Sequence, residues 1–200
     1  MSGPAAPPAD ITETNRAVAR MLAGVFGGTP SVARHRDEAL LGHVDILTCR
    51  DAPRAGLTAY ATVTLANHPL YQEGAEFPGR CEILGVCASA KAGFATVLAA
   101  CAFQVINARW FLAPGIVFPG ILENLGVSDT LEHILFVPPF LWENRLQTME
   151  TPDRALAFLL AVPISNAEYA FAQESGGDAL EDLFAERGAD PFDLDRPSVL

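Results

Sequence analysis

Apolar residues recur at helical spacing early in the chain. Ile11, Val18, Met21, Leu22 and Val25 form one stripe, Thr12 or Thr14 supplies a cap, and Gly27, Gly28 and Pro30 end the helix near Phe26. Residues 31–43 are polar and read as a connection. Residues 44–49 turn apolar and β-branched, which predicts a strand closed by a turn around Asp51, Pro53 and Gly56. A second strand over 58–65 follows at hairpin distance and ends at Asn67, His68 and Pro69. A loop containing Gly and Pro (71–79) leads to a third strand at 81–87.

The next stretch is an apolar helix from about 91 to 112, ended by Pro114 and Gly115. Residues 115–130 look irregular, and 134–137 make a fourth strand before Pro138 and Pro139. Residues 155–163 are almost continuously apolar and bounded by proline. Nine residues suit a strand better than a helix, and apolar character at every position predicts a buried central one. Ser165 with Glu168 three residues on is a capping box, so a helix starts there and runs to about Glu174. After Gly176 and Gly177 a second amphipathic helix covers 178–187, with Leu180, Leu183 and Phe184 inward, and the chain closes as an extended tail. Together these elements predict one α+β domain over residues 12–200. Its mixed or antiparallel sheet carries the 91–112 helix and the N- and C-terminal helices, and a loose Pro/Ala-rich arm occupies residues 1–11.

Composition supports a cored domain. The chain has 200 residues, half of them apolar and 18% charged. At that length folding buries roughly 70% of the unfolded surface, enough for a core without staples. Cys49, Cys81, Cys87 and Cys101 lie in apolar runs with no CxxC spacing, which reads as reduced, buried thiols. No basic-then-apolar leader opens the sequence, so the expected compartment is the cytoplasm. The 92–108 stretch is Ala-rich, interrupted by Gln104 and Asn107, and shorter than the roughly 20 apolar residues a bilayer requires. A net charge of −11 disfavours nucleic acid and anionic membranes as partners.

Few motifs carry chemistry. His35 and His43 stand eight apart near Asp37, Glu38 and Asp45, without the H-x₃-H or CxxC spacing of zinc sites, so neither metal nor cofactor is expected. His68 and His133 read as surface or structural histidines. No serine sits in a nucleophile elbow, no phosphate-cradling glycine motif occurs, and Lys91 is the only lysine. The surroundings of Cys87 and Cys101 are too apolar for a reactive thiolate. Acidic residues concentrate instead: from Glu174 to Asp195 there are eight against Arg187 alone. That run is either a solvated helix face or a docking surface for a basic partner.

The C-terminal third resembles the suppressor-of-fused-like domain family. The resemblance rests on HILFVPPF (133–140), AVPISNAE (161–168), ALEDLFAERG (179–188) and DPFDLDRPSV (190–199). Family members run a hydrophobic strand into a proline, follow it with a helix bearing Glu, and finish near Asp–Arg–Pro or Asp–Arg–x–Ser. Pro163, Glu168, Asp195, Arg196 and Ser198 match those positions here. Upstream, TAYATVTLANHPLY (58–71) and CEILGV (81–86) stand where the family has a strand-and-turn and a Glu-Leu-rich strand. This chain departs from the family's E-L-x-L with Glu82-Ile83-Leu84.

The resemblance implies a non-catalytic protein-binding domain. Animal members sequester transcription factors in the cytoplasm, and bacterial relatives include immunity proteins that neutralise toxins, often nucleases. For such a role Asp178, Glu181, Asp182 and Glu186 are the expected rim contacts, and Trp110, Trp142 and Tyr169 the expected aromatic anchors. Two alternatives stay open: a small hydrolase built on His35, His43 and nearby carboxylates, and a small-molecule binder walled by Phe94, Phe103 and Phe118.

Overall fold

The computed structural model describes residues 11–37, 42–151 and 154–200. Most of the expected N-terminal arm, together with Glu38, therefore lies outside the described residues. In chain order the elements are α1 (Glu13–Phe26), β1 (Thr29–Arg36), β2 (His43–Arg50), β3 (Leu57–Thr62), β4 (Leu70–Gln72), β5 (Ala75–Phe77), β6 (Arg80–Ala88) and α2 (Phe94–Ala108). There follow β7 (Val117–Phe118), α3 (Ile121–Leu125), β8 (His133–Val137), β9 (Met149–Glu150), β10 (Ala155–Ile164), α4 (Asn166–Ser175) and α5 (Gly177–Arg187). Single-turn 3₁₀ segments occupy Leu65–Asn67 and, somewhat longer, Phe140–Arg145.

The main sheet runs β1-β2-β3-β6-β10-β8-β7, with β9 also paired to β10. Every pairing is antiparallel except β6 with β10. Side chains alternate between faces, and each face has its own core. On one, Val44, Ile46, Tyr60, Ile83 and Ile134 meet α2 through Phe94, Val97, Leu98, Cys101 and Val105. On the other, Leu47, Ala59, Leu84, Leu135, Leu160 and Val162 meet α1 through Val18, Leu22 and Phe26, and meet α5 through Leu180. The expected α+β domain with helices on a mixed sheet is the architecture found.

β10 is the central strand its apolar run predicts, flanked by β6 and β8. α1 starts where Thr12 caps it: the Asn15 N–H donates to Thr12 Oγ1 at 3.1 Å, and the Thr12 N–H donates to Asn15 Oδ1 at 2.9 Å. Four local expectations need correction. The "connection" at 31–43 is largely β1, an exposed edge strand whose Pro30 is tolerated because an edge needs no complete ladder. The 71–79 loop holds the β4–β5 hairpin, turned by Glu73 and Gly74, both at positive φ. The irregular 115–130 stretch contains β7 and α3. α2 is shorter than expected because Gly93 (φ 94°) and Arg109 (φ 57°) are left-handed at its two ends. No helix among the described residues is long and apolar enough to cross a membrane.

α2 approaches the sheet closely at Gly85 of β6. A Cβ there would lie 2.5 Å from Phe94 Cε1 and 2.9 Å from Leu98 Cδ1, both on α2. Gly85→Ala is therefore expected to overpack this layer and lose about 1–3 kcal/mol of stability, read as a lower urea midpoint. Gly24→Ala is the control. It adds a methyl group in open space on a helix and is expected to stabilise by about 0.5–1 kcal/mol.

Candidate functional site

The C-terminal tail is a strap, not a free extension. It leaves α5, crosses the end of the sheet and buries Leu194 in the core on the α2 side. Ser128 Oγ donates to the Leu194 carbonyl at 2.5 Å and Thr130 Oγ1 to the Arg196 carbonyl at 3.0 Å. Lys91 Nζ pairs with Asp195 Oδ1 at 2.6 Å.

The strap is locked by four of the motif residues. Glu168 and Arg196 are buried and form a bidentate pair: Nη1–Oε1 at 2.6 Å and Nη2–Oε2 at 2.8 Å. The same carboxylate accepts the Ser165 N–H at 2.9 Å, closing the α4 capping box, and the Val199 N–H at 2.9 Å. Ser165 Oγ and Ser198 Oγ are 2.8 Å apart. Arg196 Nη2 also donates to the Pro163 carbonyl at 3.0 Å. The register explains why that carbonyl is available. Phe136 uses its N–H and C=O on residues 116 and 115, so Pro163 opposite Ile134 turns its backbone groups away from β8. Pairing with β6 ends at Leu160, and a residue without an N–H fits the gap. Burial raises the Glu168 pKa, but the Arg196 guanidinium and the backbone donors outweigh it and hold the carboxyl below its usual value. These residues clasp the fold; Asp195 belongs to the neighbouring Lys91 pair.

Beside the clasp, α5 presents its acidic side. Asp178, Asp182 and Glu186 recur at four-residue spacing and are exposed, and among the described residues no ion pair neutralises them. Glu181 is half-buried. Burial, then the neighbouring Asp178 and Asp182 charges, push its carboxyl above the ordinary range. Glu181 also lines an apolar groove of about 320 Å³, together with Val137, Val162, Phe140, Phe184, Ala185 and Pro191. The guanidinium of Arg196 lies over the Phe184 ring, 4.8 Å from its centroid, so the clasp supports one groove wall.

The other candidates scatter. Trp142 is 1% exposed and stacks on Phe26 at 4.6 Å, inside the core rather than on a face open to a partner. Trp110 is half-buried edge-on to Phe118 on the α2 side, and Tyr169 is half-buried beside His133 on the other side of the sheet. His133 is structural: Nδ1 accepts the Gly120 N–H at 2.8 Å, leaving Nε2 to donate to Asn166 Oδ1 at 2.8 Å. His35 pairs in register with Val44 and His43 with Arg36, so the two histidines lie on opposite faces of the sheet and cannot converge on one substrate. Burial lowers both of their pKa values. Phe94 and Phe118 are filled core positions in contact with Tyr60 and Phe136, not walls of a cavity. All four cysteines are buried and free, and burial pushes the Cys49 and Cys87 thiols up to about 11 and raises Cys81 and Cys101 as well. Among the described residues no three His, Cys, Asp or Glu side chains group as a metal site.

One feature escaped the sequence reading. Glu82 on β6 is fully buried at the floor of a polar cleft of about 320 Å³, between the first turn of α1, the Leu65–Asn67 turn and Arg154. Its carboxyl accepts the Leu65 and Ala66 N–H groups, each at 3.2 Å. Burial nonetheless pushes it up to about 7. Arg80 and Arg154, which also line the cleft, both pair with Glu76.

The clasp and the strap make the tail integral to the domain, and comparison with known proteins covers the same extent. The chain is 37% identical over 190 residues to Immunity protein YqcF of Bacillus subtilis (strain 168), spanning 95% of this chain and 99% of that protein. Solved structures with the same fold include a putative suppressor of fused homolog from Neisseria gonorrhoeae FA 1090. It has a TM-score of 0.69 at 17% identity, covering 94% of this chain and 97% of that one. Drosophila Suppressor of Fused matches with a TM-score of 0.66 at 16% identity, over 96% of this chain and 51% of its own. A structure of the Sufu–Fu complex matches at 0.67 and 16%, over 97% and 93%. Residues 41–197, from before β2 through the Glu168–Arg196 clasp, match the family described as Suppressor of fused protein (SUFU), and the chain belongs to that family.

Proposed function

We propose that this chain is a non-catalytic immunity-type protein that works in the cytoplasm and neutralises a toxin by stoichiometric binding. The observation that carries this reading is the end-to-end similarity to Immunity protein YqcF. The outward carboxylates of α5 support it, because a preformed negative face steers a basic partner such as a nuclease and raises its association rate. Asp178, Glu181, Asp182 and Glu186 are the rim contacts in this reading. Asp178, Asp182 and Glu186 lie open to solvent, with Glu181 beside them at the groove.

The test is to search the genes flanking this one for a toxin, to co-purify that product with this protein, and to follow association by stopped flow at several salt concentrations. A one-to-one complex that abolishes toxicity is expected. Changing all four carboxylates to Ala is expected to slow association about tenfold at low salt and to flatten its salt dependence. An unchanged rate at low salt would rule out electrostatic docking through α5, and failure to bind or protect would overturn the immunity reading.

A further inference from the structure

The apolar groove beside α5 lies immediately next to the carboxylate stripe. Residues 181, 185 and 188 line the groove, and 178, 182 and 186 follow next around the helix. Phe140 stands at its mouth half-exposed, one of few large apolar side chains that the described surface leaves open. The walls come from the ends of β8 and β10, from α5 and from the start of the strap at Pro191. Phe184 is fixed from behind by Arg196, which keeps the opening preformed.

The geometry points to this groove as a socket for one large apolar side chain of the partner, presented on a segment rich in Lys or Arg. This deepens the protein-binding reading above and rests on it. The argument for the occupant is complementarity of two kinds. The volume, about 320 Å³, takes an aromatic or long aliphatic side chain, and the lining is apolar apart from Glu181. The rim carries Asp178, Glu181, Asp182 and Glu186, so a hydrophobe flanked by cations is favoured and one flanked by acids is repelled. Glu181 is half-buried beside the Asp178 and Asp182 charges, and an arriving cation relieves that repulsion. The socket then supplies the residence time and the rim the encounter rate.

Three fluorescein-labelled dodecapeptides test this by fluorescence anisotropy. One carries Phe-Leu between Arg/Lys flanks, one carries Phe-Leu between Glu flanks, and one carries Ala-Ala between Arg/Lys flanks. The first is expected to bind at least tenfold more tightly than either control. Ala185→Trp, a filled socket at an exposed helix position, is expected to weaken it tenfold with the melting temperature unchanged. Glu181→Gln is expected to weaken it less and to lower its salt sensitivity. Equal binding of the first and third peptides, equal binding to Ala185→Trp, or no binding of the first peptide overturns the socket. A toxin found by the flanking-gene search separates the two proposals. Unchanged toxin binding by Ala185→Trp sinks the socket and leaves the immunity reading standing, whereas a toxin held by neither protein sinks the immunity reading.

Discussion

Arg196→Ala is expected to be the most damaging single change outside the hydrophobic core, lowering stability by about 3–5 kcal/mol at pH 7. The reason is what it leaves behind. Glu168 is 0% exposed, and without the guanidinium its carboxylate keeps, among the described residues, the Ser165 and Val199 N–H groups at 2.9 Å and the Ser198 hydroxyl at 3.5 Å as donors. Glu168→Gln removes the charge from the other side and is expected to cost less, because the amide still accepts backbone N–H groups and Arg196 keeps the Pro163 and Pro197 carbonyls. A double variant, Glu168→Gln with Arg196→Met, is expected to recover part of the loss, since an apolar chain of similar length buries no unpaired charge. The sign of the pH dependence separates this account from simple loss of packing. In the wild type the Glu168 pKa is depressed from 4.5. The pair's contribution is thus complete above that pH and is lost as pH falls through the lower folded value. In Arg196→Ala burial is opposed only by the remaining N–H and hydroxyl donors and the same pKa rises above its wild-type value, so the variant recovers ground against wild type as the pH is lowered. Urea midpoints at pH 7 and pH 4 measure it; a constant difference between the two proteins would contradict the clasp. The strap crosses to the α2 face, so its loosening is also expected to expose Leu194 and to speed proteolysis after residue 188.

Much of this arrangement was legible in the sequence wherever the controlling interaction is local. The Ser165–Glu168 box, the proline-bounded apolar run of β10 and the glycines after α1 each act within a few residues, and each marked its element correctly. β1 was missed because an edge strand exposed on both sides loses the period-two pattern that burial imposes. The ends of α2 were misplaced because apolar residues continue past Arg109 while the backbone turns left-handed there. The site divides in the same way. The family motif named Pro163, Glu168, Arg196 and Ser198, but not that three side chains and one carbonyl meet around a single guanidinium–carboxylate pair. The groove was not readable at all. Its lining comes from Val137, Phe140, Val162 and scattered positions between Glu181 and Pro191, and nothing in their spacing shows that β8, β10 and α5 bring them together. Aromatic identity misled in the case of Trp142, whose ring fills the core against Phe26.

Glu82→Gln is expected to make the protein more stable near pH 8 than its effect at pH 5 would indicate, a relative gain of about 2–3 kcal/mol over that range. The carboxyl titrates near 7 in the folded chain against a reference of 4.5, because burial on β6 outweighs the Thr62, Ala66 and Leu65 hydrogen bonds. An acid whose folded pKa is raised binds its proton more tightly in the native state. Folding is then favoured below 4.5 relative to higher pH, and stability falls as the pH climbs from 4.5 through 7. Glutamine keeps an acceptor for the 65–66 amides and nothing to ionise, so that slope disappears. The half-buried histidines have lowered pKa values and contribute the opposite slope below 6.5, but they do so in both proteins and cancel in the difference. Glu168 acts only below 4.5 and cancels likewise. Chemical denaturation of wild type and Glu82→Gln at pH 5, 6.5 and 8 reads the effect directly; parallel curves across the three would mean that Glu82 is already ionised throughout. The Leu65–Asn67 turn that Glu82 holds also receives Asn15 of α1, through Asn67 Oδ1 at 3.0 Å. Ionisation at this point therefore loosens the α1 layer first, and amide exchange at residues 65–67 is expected to quicken between pH 6 and 8 beyond the intrinsic rise, in wild type alone.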